Sequence, residues 1–164
     1  MSRIETKTGS VKLIPSGYTG NTNITVPSNV ERSYTDADHT STEVQWKITK
    51  GQTGSVYYTF PAANIRTDAT ITNITGRVRM RTYATNNPTS RYAQLYSGTT
   101  AKGSRITYQA VTGTNGTINN LSPGNVSNWS PSNFDNLRLY LQGYSNSANR
   151  YFSVYGADVT VEYS

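Results

Sequence analysis

The chain contains no cysteine and a single histidine, and only nine of its 164 residues are Asp or Glu. Each shortage removes a kind of chemistry. Without Cys there is neither a disulfide framework nor a thiolate metal site, and the redox compartment is left open. With His39 alone and no thiol, a Cys–His catalytic pair cannot be assembled. Asp135 and Asp158 have no acidic partner at a fixed spacing, so a paired-carboxylate glycosidase has no support. The stretch Asp36-Ala-Asp38-His39 is the one grouping of potential metal ligands. It lacks the Asp/Asn/Gly loop that brings six or more oxygens to a hard cation, and it reads as a polar loop. Glycine-rich phosphate loops are missing too. These absences predict a protein that is not an enzyme and carries neither metal nor cofactor.

Long apolar runs are also missing. None approaches the roughly 20 residues that a membrane-spanning helix needs. The start, Met1-Ser-Arg-Ile-Glu-Thr-Lys, has no apolar core of the signal-peptide kind, which predicts synthesis in a cytosol without export by a leader. The formal charge is +6, yet only 15% of residues are charged and the basic ones are dispersed along the chain. A Lys/Arg-rich block is absent, so the expectation is no nucleic-acid partner and no membrane. A mildly positive surface suits an acidic partner such as a viral shell or an anionic wall polymer.

What the chain does have is thirteen tyrosines and a recurring alternation of apolar and polar residues. Val44, Trp46 and Ile48 fall on one face, with Glu43, Gln45 and Lys47 on the other. Val56, Tyr58 and Phe60 repeat the pattern, as do Val78 and Met80 against Arg77, Arg79 and Arg81. Ile106, Tyr108 and Ala110 follow, then Leu137, Leu139 and Leu141, then Val159, Val161 and Tyr163. This is the period of half-buried strands, and no helix-length window shows the 3.6-residue period. Clusters of Gly, Asn, Ser and Pro, among them Gly51-Gln-Thr-Gly and Asn86-Asn-Pro, separate the runs as turns. Some eight to ten short strands predict an all-β, two-sheet antiparallel sandwich. A jelly roll comes first because several connections exceed hairpin length, and an immunoglobulin-like Greek key second. Phe152 and Val154 are out of phase with Val159 and Val161, which predicts a one-residue bulge near Gly156. Residues 1–40, poor in apolar anchors, read as an N-terminal arm with early strands, and residues 41–164 as the sandwich domain.

Two sets of residues are candidate contact sites. On a strand, Arg77, Arg79 and Arg81 project from one face at intervals of roughly 7 Å. Such a ladder can meet carboxylates on a partner, although a solvated or guarded sheet face explains it as well. Tyr92 with Tyr96, Tyr140 with Tyr144, and Tyr151 with Tyr155 share faces in pairs. Outward tyrosines beside Asn, Gln and Arg serve sugar-binding platforms and protein interfaces alike, and cross-strand aromatic pairing is the plain structural alternative. Trp46 and Trp129 read as packed residues.

The stretches Ala69-Thr-Ile-Thr-Asn-Ile-Thr-Gly-Arg-Val-Arg, Gln94-Leu-Tyr-Ser-Gly-Thr-Thr-Ala-Lys-Gly-Ser, Asn136-Leu-Arg-Leu-Tyr-Leu and Val154-Tyr-Gly-Ala-Asp-Val-Thr-Val-Glu-Tyr together resemble β-sandwich domains in virion structural proteins of tailed phages that infect Gram-positive bacteria. The likeness covers residues 40–164 and lies in pattern. It implies a virion location, no catalytic residues to transfer, and a role as a capsid decoration (minor or auxiliary capsid) protein or in a tail. The partners it implies are the major capsid protein or other virion proteins, with assembly as a homo-oligomer. A receptor-binding protein also needs a shaft or a second domain, and neither is visible here, so decoration is the first expectation. A carbohydrate-binding module for host cell-wall glycans is the alternative.

Overall fold

Alternation along the chain becomes inside and outside of a sandwich. The structure, a computed structural model, describes residues 8–164. Eleven strands form among these residues: β1 (Gly9–Leu13), β2 (Gly17–Thr22), β3 (Ile24–Thr25), β4 (Val44–Ile48), β5 (Thr53–Thr59), β6 (Ile71–Arg81), β7 (Thr89–Ser97), β8 (Thr100–Ala101), β9 (Thr117–Leu121), β10 (Leu137–Tyr144) and β11 (Arg150–Tyr163). Short 3-10 turns at Val30–Ser33, Val126–Asn128 and Pro131–Asp135 link them.

All pairings are antiparallel. One sheet runs β3-β4-β11-β6-β9, with β1 also on β11, and the other runs β2-β5-β10-β7-β8. From β4 onward the eight strands wrap in the jelly-roll order, β4-β11-β6-β9 facing β5-β10-β7-β8. The immunoglobulin-like alternative is thereby set aside. Long β11 is the spine of its sheet. Its first half pairs with β4 and its second half with β1 on one side, while β6 runs beside nearly its whole length. Within residues 1–40, β1 and β3 join the first sheet and β2 the second. The part of the expected arm that falls on residues 1–7 lies outside the described residues.

The inner faces are those the alternation predicts. Val44, Trp46 and Ile48 of β4 and Leu137, Leu139 and Leu141 of β10 are buried in one continuous core. At its centre the Trp46 indole donates to the Tyr58 hydroxyl at 3.0 Å, and Ser33 Oγ lies 2.7 Å from the same hydroxyl. Burial, with a smaller push from Tyr34, drives the Tyr58 phenol far up, and these bonds satisfy a polar group that would otherwise cost roughly 1–3 kcal/mol to bury. The register of β11 against β6 slips between Val154 and Gly156, leaving Tyr155 as the extra residue. Phe152 and Val154 before the slip, and Val159 and Val161 after it, are therefore all buried.

The expected strand at 106–110 is reduced to isolated bridges at Ser104 and Ile106. Its backbone is diverted to side chains: Arg91 Nε donates to the Tyr108 carbonyl at 2.7 Å, and the Gln109 N–H donates to Asn119 Oδ1 at 3.0 Å. Groups bonded in this way cannot also extend a ladder. Among the described residues no helix is long and apolar enough to cross a membrane.

Candidate functional site

The two sheets present outer faces of opposite character. On the first, the even spacing of Arg77, Arg79 and Arg81 along β6 does put all three on one face, where β11 and β9 flank them. Their guanidinium groups are taken up by the chain itself. Arg77 donates to Asp158 at 3.0 and 2.7 Å and to both oxygens of Asp38 at 3.1 and 3.2 Å. Asp158 is 1% exposed, so this is a buried carboxylate held by a fork of donors. The same carboxylate accepts from the Ala37 N–H at 2.9 Å. Arg79 donates to the Ala37 carbonyl at 2.7 Å and to the Asn115 carbonyl at 3.0 Å. Arg81 lies 3.6 Å from Glu43 and stacks over Tyr83, whose hydroxyl donates to Glu43 at 2.7 Å. Burial, then Glu43, pushes the Tyr83 phenol up to about 12.

The ladder is thus a clamp. It ties the 34–39 loop and the turn at Asn115 down over the sheet, and Ala157 N–H completes the tie by donating to the Thr35 carbonyl at 2.9 Å. Gly156 sits under this loop because a side chain there would collide with the Asp36 carbonyl oxygen. The Asp36–His39 stretch is part of the clamp: Asp36 pairs with Lys12 at 3.4 Å, and Asp38 faces Arg77. The hydrogen bond from Arg77, reinforced by its charge, holds the Asp38 carboxyl below its ordinary range. Tyr155 is buried at 4% exposure, with the Gly116 backbone packed on its ring, so it presents no surface to a ligand. Tyr151 is half-buried on this sheet, in register with Lys47.

The second sheet is different. Its outward positions form a grid read directly from the register. Across β5, β10 and β7 the rows are Thr59–Arg138–Tyr96, then Tyr57–Tyr140–Gln94, then Ser55–Gln142–Tyr92. Thr19 of β2 extends the middle row beside Tyr57. Tyr92, Tyr96 and Tyr140, predicted as separate pairs, therefore meet on one face, and Tyr144 stands exposed at the end of β10 on the same side.

Tyr140 is the hub. Its ring centroid lies 4.8 Å from that of Tyr57, 5.6 Å from Tyr92 and 5.5 Å from Tyr96, with the planes tilted by 51°, 41° and 44°. Tyr57 and Tyr96 also meet edge to face at 5.2 Å. All four rings are half-buried by one another while lying on the outside of the sheet. The Tyr140 hydroxyl donates to Gln142 Oε1 at 2.9 Å, and Gln94 is fixed by donating to the Gly103 carbonyl at 2.8 Å. Arg105 lies over the Tyr92 ring at 4.1 Å and Arg138 beside the Tyr57 ring at 5.6 Å. Burial, then Tyr140, pushes the Tyr92 phenol up to about 12, and burial also raises Tyr57. Both hydroxyls are therefore protonated at neutral pH, able to donate and to accept.

Tyr57, Arg138 and Arg105 were not singled out from sequence. Tyr57 was legible, since it alternates with the core residues Val56 and Tyr58. Arg105 was not, because it reaches the face from an irregular segment. No protein-family model matches this chain, and no curated protein is similar to it.

Proposed function

We propose that this chain is a non-catalytic binding module of a phage particle, and that it lays the tyrosine-bearing face of its five-stranded sheet on a glycan of the host surface. The observation that carries the reading is the four-ring cluster centred on Tyr140, displayed on the outer face of the sheet and bordered by Gln142, Thr19, Thr59 and two arginines. Flat aromatic rings cover the apolar faces of pyranoses, while amides, hydroxyls and guanidinium groups bond their hydroxyls. The face carries no aliphatic side chain larger than Ala101, the partner of Tyr96 in β8.

Placement on a phage particle rests on the resemblance of residues 40–164 to virion β-sandwich domains. Shell decoration, with the major capsid protein as partner, is the second reading. It is favoured by exposed Ile14 and Tyr18, at either end of the β1–β2 bend that follows the N-terminal segment, as an apolar grip for a neighbouring subunit. Arg77, Arg79 and Arg81 no longer support that reading, because each already has partners within the chain.

A glycan array probed with the intact chain, run beside co-sedimentation with empty shells, tests the two. Glycan binding that is lost in Tyr140→Ala supports the first reading. Shell binding that Tyr140→Ala leaves intact and Ile14→Ser abolishes, with no glycan bound, overturns it in favour of decoration.

A further inference from the structure

We infer that the ligand of this face is an acidic polysaccharide, a linear polymer of sugar rings bearing carboxylates, held by rings on the tyrosines and by acid groups on Arg105 and Arg138. The inference rests on the glycan-binding reading above and adds the charge and length of the ligand.

The first observation is a segregation of charge. The strands of the five-stranded sheet contain no Asp or Glu at all. The described acids lie elsewhere: Asp36, Asp38, Glu43, Asp158 and Glu162 on or over the other sheet, and Glu31, Asp68 and Asp135 in connections. A chain of net charge +6 has thus left one broad face with cations only. Phenols raised as far as about 12 add no negative charge to it at neutral pH.

The second observation is how the two cations are held. Neither Arg105 nor Arg138 has a carboxylate partner among the described residues, in contrast to Arg77 and Arg81 on the opposite face. Each guanidinium is set against a tyrosine ring instead, Arg105 at 4.1 Å and Arg138 at 5.6 Å. Stacking restrains the plane of a guanidinium while its terminal N–H groups can still receive a carboxylate with two parallel bonds. Arg138 Nε is buried beneath this contact without a hydrogen-bond partner, so the edge left to a carboxylate is that of its two terminal nitrogens.

The third observation sets the length. Arg138 and the Tyr92 row are four residues apart along β10, about 13 Å at the usual rise of a strand. The hub tyrosine lies between them. A single sugar cannot touch both arginines and the ring cluster, whereas a chain of sugars crossing the face can. In such a chain the carboxylate is borne by the ring itself, so sugars lying along the tyrosines carry their acids past Arg138 at one end of the cluster and Arg105 at the other.

Affinity electrophoresis of the intact chain in gels containing polygalacturonate, dextran or polyglutamate tests this. Polygalacturonate should retard the protein, while dextran and polyglutamate should not. Arg105→Ser and Arg138→Gln should each weaken retardation about tenfold, as expected for losing one charge-assisted bond. Arg105 is exposed and rests on the Tyr92 ring, so its variant should fold as the parent does and report on binding. Retardation by dextran, unchanged in both arginine variants, overturns the acidic ligand and leaves glycan binding standing. Equal retardation by polyglutamate, or no retardation by either polysaccharide, overturns both.

Discussion

The outer faces of the two sheets begin from the same sequence device and end in opposite states. Each carries large residues at outward positions in phase with the strand: arginines at every second residue of β6, tyrosines at every fourth of β7 and β10. Over the first face a loop has closed, and the arginines are consumed in holding it. Over the second no loop closes among the described residues, and the tyrosines pack on one another, with Arg105, Arg138 and Gln142 as their neighbours. A displayed row of large residues is therefore no guide to function until its neighbours are known. Charged rows attract cover from the chain's own acids, and Asp38, Asp158 and Glu43 supply it here. A face without acids of its own stays open to an acid from outside.

The sharpest way to break this contrast is to remove the clamp. Arg77→Ala leaves the buried Asp158 carboxylate without its cation, and urea denaturation should register a loss of about 3–5 kcal/mol. A loss below about 1 kcal/mol would mean the ladder is a free surface after all. Next comes Gly156→Ala, which forces a methyl against the Asp36 carbonyl. Overpacking against backbone should cost about 2–3 kcal/mol and displace the 34–39 loop, visible as new amide shifts at Asp36 and Ala37. On the open face the expected changes in stability are smaller. Tyr140→Ala gives up three ring contacts and should cost about 1–2 kcal/mol while leaving the circular dichroism of the fold unchanged. Arg105→Ser should fall within about 0.5 kcal/mol of the parent.

Acid supplies the mildest test. The Asp38 carboxyl, held low chiefly by the hydrogen bond from Arg77 and then by its charge, with smaller contributions from Lys12 and Arg79, binds fewer protons folded than unfolded. Its contribution is present at neutral pH and disappears as pH falls through the depressed folded value. Protection of the 35–39 amides against hydrogen exchange should therefore drop below the ordinary carboxylate range. Protection on β5, β7 and β10, whose outer face has no carboxylate, should hold to lower pH.

Local periodicity carried much of the fold. Strands at 44–48, 137–141 and 152–163, the jelly-roll order expected from long connections, and the bulge beside Gly156 all follow from parity and turn residues. Parity also assigned each tyrosine to a side of its own strand. It could not assign strands to neighbours. The union of Tyr92, Tyr96 and Tyr140 depends on β10 lying between β5 and β7, a pairing set by core packing over long separations. For the same reason the fate of the arginines was not legible: Asp158 is 81 residues from Arg77 along the chain, and Asp38 is 39. The strand expected at 106–110 failed because side chains claimed its backbone, a competition that apolar alternation does not register.

The central claim, that one face is closed by the chain and the other is open to a ligand, is tested most directly by titrating the labelled protein with polygalacturonate and mapping amide shifts by NMR. The account predicts perturbations at Tyr57, Tyr92, Tyr96, Arg138 and Tyr140, with Arg77, Arg79 and Arg81 silent. Shifts confined to the arginine ladder and the 34–39 loop, with the tyrosine face unmoved, would contradict it.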